Sequence, residues 1–535
     1  MIAMAIERWS PRHELSKQEA AIIKRLGRVR KFLAFLRRHR HELIDESFEK
    51  ELESIYRDTG AGREAVPPGL MAMATLVQGY LGASDATMVE LTVIDLSVQM
   101  VLDRLGASEP AFSQGALCGF RARFINGDLD RRLLERTVEV TRRTKEFDWK
   151  KLPKTLRVAI DSKPLEGAGR VEDTFNLLGH AAKKVVACAA QLLDWPEEKL
   201  CRVAGITLLL GPSLKATLDV DWNDAAEKAE ALKTLAAQLD SLQAWLRDHL
   251  SEELTKPPLK EHIDTLEQIQ NQDLEPDPGG GMRVRDGVAE DRRVSIEDPQ
   301  MRHGRKSKTK RFNGYKQHIA ADIDRDLILA CAVTPANRPE GEAAPALQAD
   351  IERQKLKIDE LYIDRAYVNC DVVDDVLARK GAVVCKPWVS KNKKLFPKSD
   401  FEIDLRSKSI TCPAGQTMGF ELGTIVEFDA DVCDLCPLRV LCTTAEIGNG
   451  RTVSIADNER LQQRLRKLIA TPAGRDRLRK RTHVEHRLAH IARRQGRRAR
   501  YFGIRKNTFD LRRAAAIQNI ETWQRWTEPP LRKVA

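Results

Sequence analysis

Three acidic residues in this sequence occupy positions where carboxylates can do chemistry. Asp161 ends the alternating run TLRVAID and Asp364 ends the run IDELYID, so both are predicted at the ends of strands. Glu485 is the only carboxylate between Asp476 and Asp510, in a segment crowded with arginines. Carboxylates suit Mg²⁺ or Mn²⁺, and two such ions can activate the attacking oxygen and stabilise the leaving oxygen of a phosphodiester. Taken alone, each aspartate has a second interpretation as a turn or cap residue.

The glutamate is predicted to point towards the protein interior. On a helix, Glu485 shares a face with four apolar residues that are expected to pack on a sheet: Leu478, Leu488, Ala489 and Ala492. A lone inward carboxylate is costly unless it is paired or binds a metal. This position therefore favours a ligand role.

Positive charge is concentrated near the C-terminus. The whole chain carries +11, but residues 475–513 alone hold 15 Lys or Arg against 3 Asp or Glu. Such a stripe attracts polyanions and releases their counterions, so nucleic acid is the first partner to consider, with a solvated basic helix as the alternative. In this stripe the spacing of His486 and His490 permits metal binding, but we favour contacts to DNA or a cap on the site.

A second basic segment lies at residues 302–316. It carries seven cations, which are Arg302, Arg305, Lys306, Lys308, Lys310, Arg311 and Lys316. Basic side chains hold phosphates, and the interleaved Phe312 and Tyr315 can stack on an unpaired base. The alternative is a basic loop whose two aromatic residues anchor the next strand in the core.

Four cysteines have the spacing of a metal site. Cys412, Cys433, Cys436 and Cys442 form C-x20-C-x2-C-x5-C. Four thiolates can close a tetrahedral structural zinc site, which would not be catalytic. Free thiols in a small β-rich insertion are the alternative.

The elements that must position these residues change in type along the chain. Residues 1–150 are predicted to be helical, with helices over Ala20–Arg40 and Leu70–Leu81 and a following helix capped by Ser84 or Asp85. From residue 155 a strand, a hairpin around residues 324–326, and then helix, strand, helix and strand predict a mixed sheet with helices on its faces.

The composition predicts a cytosolic protein. No apolar run approaches the about 18 residues that a membrane span needs, and the N-terminus lacks the apolar core of a secretory signal. The ten cysteines are therefore expected to be thiols or metal ligands, not disulfides.

Four segments together resemble the DDE transposases of bacterial insertion sequences. They are IDSK at residue 161, MRHGRKSKTKRFNGYKQHIAADID, YIDRAYV at residue 364, and HVEHRLAHIARRQGRRARYFGIRKNTFDLRRAAAIQN. The segment PPGLMAMATLVQGYLGASDATMVELTVIDLSVQMVLDRLG, followed by FRARF, is similar to the InsH-like N-terminal domain of that group. The resemblance covers most of the chain, and the C-terminal segment is its most specific part.

The resemblance implies an α/β fold with an RNase H-like (retroviral integrase) catalytic core. It implies a helical N-terminal domain at 1–150 for DNA-end binding or dimerisation, a helical insertion, and a Cys-rich β insertion. The expected bounds are 151–220 for the first part of the core, 221–282 for the helical insertion and linker, 283–390 for the second part of the core, 391–460 for the Cys-rich insertion, and 461–525 for the C-terminal helices.

The resemblance also implies the site and its partners. Asp161, Asp364 and Glu485 would form the triad, with two Mg²⁺ or Mn²⁺ ions. Arg481 matches an arginine that lies four residues before the glutamate in related groups, whereas Leu478 and Ala492 replace an aromatic residue and a lysine. The further predicted DNA contacts are Arg493, Arg494, Arg500 and Lys506.

Double-stranded DNA, as element ends and as target, is the implied partner. A homodimer on DNA in the cytoplasm, associated with the nucleoid and with no membrane, is the implied setting. The expected reaction is end cleavage followed by joining to target DNA. Two alternatives stay open, which are a nuclease of the same fold that never joins DNA and a catalytically dead DNA-binding relative.

Overall fold

The computed structural model describes residues 7–27, 30–56, 65–145, 149–389, 392 and 394–528. Within these ranges the chain is a mixed α/β structure, with a helical N-terminal region and a six-stranded sheet at its centre. None of the helices in these ranges is long and apolar enough to cross a membrane.

Eight helices form the N-terminal region. They are α1 (Lys17–Arg25), α2 (Lys31–Leu43), α3 (Glu46–Glu53), α4 (Pro68–Leu81), α5 (Asp85–Ile94), α6 (Leu96–Val101), α7 (Gln114–Asn126) and α8 (Leu129–Arg143). The prediction of a helix over Leu70–Leu81 is confirmed by α4, and Ser84 caps α5 by accepting a hydrogen bond from the backbone N–H of Thr87 at 3.0 Å. The prediction of one helix over Ala20–Arg40 is wrong, because the segment is divided between α1 and α2; residues 28 and 29 between them lie outside the described residues.

A helical bundle separates the first strand of the sheet from the second. The strand is β1 (Arg157–Glu166), and the bundle comprises α9 (Thr174–Leu192), α10 (Glu197–Val203), α11 (Leu214–Leu218), α12 (Ala225–His249) and α13 (Leu259–Asp273), with the small hairpin β2 (Leu274–Pro276) and β3 (Met282–Val284). Its buried residues form one apolar core to which α9, α12 and α13 all contribute. The expected start of the insertion at residue 221 therefore falls inside this bundle, which begins at α9.

The central sheet follows the predicted order of elements. These are β4 (Arg302–Arg305), β5 (Arg311–Asp322), β6 (Leu327–Pro335), α14 (Ala344–Arg353), β7 (Glu360–Tyr362), α15 (Asp371–Ala378) and β8 (Ala382–Val384). The predicted hairpin is confirmed by β5 and β6. β5 pairs antiparallel with β1 on one side and with β4 and β6 on the other, whereas β1, β7 and β8 run parallel.

The remaining chain forms a Cys-rich β segment and four helices. The first contains β9 (Glu402–Asp404), β10 (Ser409–Thr411), β11 (Thr417–Gly419), β12 (Ile425–Glu427), α16 (Ala430–Asp434), α17 (Arg439–Cys442) and β13 (Thr452–Ser454). The helices are α18 (Glu459–Ala470), α19 (Pro472–Arg479), α20 (Thr482–Gln495) and α21 (Ile504–Thr527). α20 packs against β1 and β5, and α21 packs against β6 and α8.

Each face of the sheet is covered by a different set of helices. In β1, Val158 and Ile160 enter a core shared with α14 and α15, whereas Ala159 and Leu165 enter a core shared with the N-terminal helices, α20 and α21. Side chains alternate along a strand, so Asp161 points to the same face as Ala159. That is the face on which α20 lies.

Candidate active site

Asp161 and Asp364 lie at the same level on two neighbouring strands. β1 and β7 run parallel, and their last paired residues are Ala159 and Tyr362. Asp161 and Asp364 each follow two residues later, so the register brings the two positions side by side just beyond the parallel ladder. Asp364 leads into a 3₁₀ turn, where its side chain accepts a hydrogen bond from the backbone N–H of Arg365 at 2.6 Å.

Asp161 does not end its strand, contrary to the sequence prediction. β1 continues to Glu166 because the long strand β5 pairs with it as far as Gly314. Only the parallel partner β7 stops early. Asp161 therefore lies at a step in the sheet, where β1 extends beyond the end of β7. Its side chain is 15% exposed.

Arg481 connects Glu485 to this step in the sheet. Its Nη2 lies 2.5 Å from a carboxylate oxygen of Glu485, and its Nη1 lies 3.1 Å from a carboxylate oxygen of Asp161. One guanidinium thus bridges two carboxylates that are 324 positions apart in the sequence. The arginine predicted to contact DNA is here engaged by both acids.

The prediction that Glu485 points inward is wrong. Its side chain is 48% exposed, and the buried residues of α20 are Val484, Leu488, Ile491 and Gln495. The assumed apolar face began at Leu478, but that residue belongs to α19, which ends two residues before α20 begins. The break between the helices shifts the buried stripe, so Glu485 stands at its edge, beside the sheet.

The charge of Arg481 acts on Asp161 and on the nearby Cys385. Burial raises the pKa of Asp161; the charge of Arg481 opposes this shift and that of Glu485 adds to it. Burial also raises the pKa of the Cys385 thiol to about 12, with Asp364 adding to the shift and Arg481 opposing it. Arg481 therefore stabilises the charged form of Asp161, whereas Glu485 disfavours it.

The three acids are of the chemical type that a divalent ion takes, but a cationic side chain lies between two of them. Three carboxylates supply the hard oxygen ligands that Mg²⁺ and Mn²⁺ take. Across the described ranges, no three or more His, Cys, Asp or Glu side chains are arranged to hold a metal. Between Asp161 and Glu485 the guanidinium of Arg481 holds the positive charge, and its Nη1 is buried without a hydrogen bond.

A buried histidine that sequence reasoning did not single out supports the turn after Asp364. His318 on β5 has no exposed surface; its Nδ1 lies 2.7 Å from the hydroxyl of Tyr367, and its Nε2 lies 2.9 Å from that of Thr334. Tyr367 closes the 3₁₀ turn that Asp364 begins. In the sequence, the feature that could have indicated His318 is its position directly before the apolar run IAA.

We expect acid to destabilise the protein through His318. Burial lowers its pKa to about 3, whereas in the unfolded chain the pKa is about 6.5. The neutral ring therefore makes its full contribution to the free energy of unfolding above about pH 6.5. Between pH 6.5 and pH 3 that contribution falls by about 1.4 kcal/mol per pH unit. Thermal unfolding at pH 7.5 and pH 5 measures this loss.

The histidine variants isolate that effect. His318→Gln cannot titrate, so its melting temperature should fall less between the two pH values than that of the wild type. His249→Gln, an exposed histidine at the end of α12, is the matched control and should retain the wild-type acid sensitivity. Equal pH dependence in His318→Gln and the wild type would show that His318 does not carry the effect.

The basic segment forms the exposed end of a hairpin. Residues 306–310 join β4 to β5, and five cations here are exposed: Arg305, Lys306, Lys308, Lys310 and Arg311. The other two are engaged within the protein. Arg302 pairs with Asp291 at 2.9 Å, and Lys316 donates to the backbone carbonyl of Arg338 at 2.6 Å.

Tyr315 is not available to stack on a base, which corrects its predicted DNA contact. Its side chain has no exposed surface, and its hydroxyl donates to Asp298 at 2.5 Å. Phe312 is also buried. β5 is covered on both faces, so both aromatic residues anchor the strand, as the alternative interpretation had it.

The remaining predicted DNA contacts lie on or after α20. Three of these cations are exposed, which are Arg493, Arg500 and Lys506. Arg494 is held by Glu521 at 2.7 Å and lies over the ring of Tyr80, 5.1 Å from its centroid. His486 and His490 are exposed on the same helix.

The four predicted zinc ligands converge in the Cys-rich segment. Cys412, Cys433, Cys436 and Cys442 line one cavity of about 300 Å³, and all are free thiols. Burial raises the pKa of Cys442; the charge of Arg451 lowers it, and the other three cysteines raise it. The backbone N–H of Gln416 lies 3.3 Å from the Cys412 sulfur. Thiolates are the donor type that zinc prefers, but among the described residues no three or more of these side chains are arranged to hold a metal ion.

Two comparisons with known families cover both ends of the chain. A family model described as "Transposase DDE domain" matches residues 411–523, a range that contains the four cysteines of the Cys-rich segment and Glu485. A second, described as "Transposase domain (DUF772)", matches residues 28–123. Neither the curated proteins nor the solved structures gave a match. Together the two family matches support a bacterial insertion-sequence DDE transposase.

Proposed function

We propose that this transposase cuts the DNA ends of its insertion sequence and joins them to target DNA at a site formed by Asp161, Asp364 and Glu485. The observation that carries the proposal is the position of Asp161 relative to the other two acids. The β1–β7 register sets the two aspartates level, and Arg481 connects Asp161 to Glu485. The mixed sheet around β1 supports an RNase H-like core, to which we assign β1, β4–β8 and α18–α21.

The three carboxylates would hold two Mg²⁺ or Mn²⁺ ions, which supply charge neutralisation at the scissile phosphate and a more acidic water. Arg481 must release at least one carboxylate when cations enter, because it already pairs with both. Once released, its guanidinium is placed to donate to a phosphate oxygen of the bound DNA.

The proposed reaction forms no covalent bond between the protein and the DNA. A water oxygen attacks the phosphorus at the element end, the bond from phosphorus to the 3′-oxygen breaks, and that oxygen leaves with a proton as a 3′-hydroxyl. The same hydroxyl then attacks a phosphorus of the target, releasing a new 3′-hydroxyl there. The carboxylates accept and pass on the protons.

Two element ends must be processed together, so we propose that the protein works as a homodimer on DNA in the cytoplasm, at the nucleoid. The N-terminal helices would recognise the ends or pair the subunits. This assignment rests on the family's implied mode of action and on the match to residues 28–123.

A strand-transfer assay tests the proposal. Precut duplex that ends in the DNA flanking the gene is incubated with the protein, plasmid DNA and Mg²⁺. We expect plasmid joined to the labelled end. Cleavage of uncut ends without any joined product would instead indicate a nuclease, and binding without either product would indicate a dead relative.

The exposed hairpin end offers a separate test of DNA binding. Changing Lys306, Lys308 and Lys310 to Gln should weaken duplex binding about equally for all sequences, because each cation neutralises a phosphate and releases a counterion. The slope of log affinity against log salt should fall in magnitude by about 1 per cation. Fluorescence anisotropy at several salt concentrations measures it.

The control variant for that test removes the same number of positive charges from a different part of the protein. Lys228, Lys233 and Lys260 lie exposed on α12 and α13 of the helical bundle, and their triple Gln variant should bind as the wild type does. Equal losses from both triple variants would mean that net charge, not this hairpin, governs binding.

A further inference from the structure

A second basic cavity lies on the far side of α20 from Glu485. It has a volume of about 690 Å³ and is enclosed by the end of α4, by α20 and by α21. Its cationic lining comprises Arg487, Arg493, Arg494 and Arg525, with His490 beside them. The triad described above contributes nothing to this cavity.

Positive charge exceeds negative charge in this cavity. Two acids face the four arginines: Glu521, which pairs with Arg494 at 2.7 Å, and Asp326, which Arg487, Arg525 and His483 share. Arg493 is exposed at the rim, and no ion pair of the described part of the chain engages it. The arrangement therefore leaves an uncompensated positive field.

The charge states agree with this excess. The pKa of Arg487 is lowered to about 10, first by burial and then by the charge of Arg525, whereas the charge of Glu521 raises it. Burial also lowers the pKa of His490, and Arg487 and Arg493 add to that shift. An anion entering the cavity would relieve this repulsion.

The helix itself sets the spacing between this cavity and the triad. An α-helix turns by about 100° per residue, so Glu485 and Arg494, nine residues apart, project in opposite directions. Arg487 lies close to the same edge as Arg494. The buried stripe of α20 packs inward, and His486, Ala489 and Arg493 form the exposed ridge between the two edges. The two edges are thus separated by about one helix width, roughly 10 to 12 Å.

We propose that this cavity binds a backbone phosphate of the same DNA whose scissile phosphate lies at Asp161 and Glu485. The proposal rests on the proposed function and adds a second anchoring point to it. One guanidinium group can donate two parallel hydrogen bonds to the oxygens of a phosphate. Contacts to the DNA backbone fix the position of a duplex without reading its sequence. Tyr80 beneath Arg494 restricts that side chain, so less freedom is lost on binding.

The spacing favours a phosphate within DNA over a free anion. The major groove of B-DNA is about 12 Å wide, close to the width of one helix, so a duplex that meets one edge of α20 can reach the other. Because the end of α4 supplies Tyr80 and its cap supplies Gly82, the same phosphate would also contact the N-terminal region.

Duplex DNA of an element end and inorganic phosphate are the two probes for the test. Arg525→Gln changes a half-exposed residue, and Arg487→Gln changes one whose side chain is 12% exposed; thermal unfolding checks that both fold. Each should weaken duplex binding about tenfold and lower the magnitude of the salt slope by about 1. Arg247→Gln, an exposed arginine on α12, is the charge-matched control and should bind as the wild type does.

Two results would overturn the inference. If the wild type binds and cleaves the duplex but both cavity variants bind like the Arg247→Gln control, the cavity holds no DNA phosphate while the proposed function stands. If inorganic phosphate raises the melting temperature of the wild type but not of Arg487→Gln, and duplex affinity is the same in both, the site takes a free anion instead. A wild type that neither binds nor cleaves the duplex would reject the proposed function itself.

Discussion

Replacing Asp161 with asparagine should reduce DNA cleavage by at least about 1,000-fold while DNA binding persists. In the proposed site the carboxylate would supply a metal ligand at the step between β1 and β7, and losing it would remove several kcal/mol of stabilisation from the developing charge at phosphorus. Asparagine preserves shape, so the variant should fold. Cleavage of a labelled element end in Mg²⁺ gives the rate, and anisotropy gives the affinity.

The effect should be shared by the whole triad. Asp364→Asn and Glu485→Gln are expected to be as inactive as Asp161→Asn, because the three carboxylates act as one ligand set. Asp240→Asn, which neutralises an exposed aspartate on α12, is the matched control and should cleave at the wild-type rate. Cleavage by Asp161→Asn within tenfold of the wild type would remove Asp161 from the site.

Stability gives a second readout on Asp161 that a merely structural role would not produce. Burial disfavours its charged form, since the pKa is raised despite the nearby Arg481. Without divalent ions, Asp161→Asn should therefore melt at or above the temperature of the wild type. Adding Mg²⁺ should raise the melting temperature of the wild type only, because a ligand that binds the folded state stabilises it.

Strand patterns located the two aspartates, but not their surroundings. The run ending at Asp161 alternates clearly, and that alternation is what directs the side chain to one face of the sheet. The continuation of β1 to Glu166 was not visible, because residues 162–166 pair with a strand about 150 positions later in the sequence. Pairing of distant segments is not encoded in local pattern.

Helical periodicity misplaced Glu485 for a related reason. A periodic face is defined only within one continuous helix, and the chain breaks between Arg479 and Thr482. Beyond the break the true stripe begins at Val484. The bridge that Arg481 makes between Asp161 and Glu485 depends on this rotation and on the sheet together, so it follows from tertiary packing alone.

The start of the helical insertion shows the same limit. The sequence predicted a helical insertion from residue 221, but periodicity does not say which helices share a core. The structure joins α9 to α12 and α13 through buried residues such as Leu178, Leu235 and Leu266. Tyr315 was ambiguous for a different reason, because a strand covered on both faces carries no polar alternation to mark an outer side.

Changing Cys433 and Cys436 together to serine should remove one zinc ion per chain and loosen the segment from residue 394 to residue 460. Its apolar core contains only seven buried side chains, and each of its strands has three residues. A core this small rarely holds a fold by itself, whereas a tetrahedral thiolate site contributes roughly 10 to 16 kcal/mol. The metal is therefore expected to supply most of the local stability.

Elemental analysis and limited proteolysis measure the two consequences separately. The wild type should carry zinc in a ratio of one per chain, and the double variant should carry none and be cut first within this segment. Replacing zinc by Co²⁺ should give the intense absorption of thiolate coordination in the wild type only.

A cysteine control and the rate of DNA cleavage give two further tests of the zinc site. Cys118→Ser changes an exposed thiol on α7 and should alter neither the zinc content nor the cleavage pattern. The segment leads directly into α18 and the helices that carry Arg481 and Glu485, so loosening it should also slow DNA cleavage, although the triad is untouched. A wild type without zinc, whose proteolysis matches that of the double variant, would leave the four residues as free thiols around an apolar cavity.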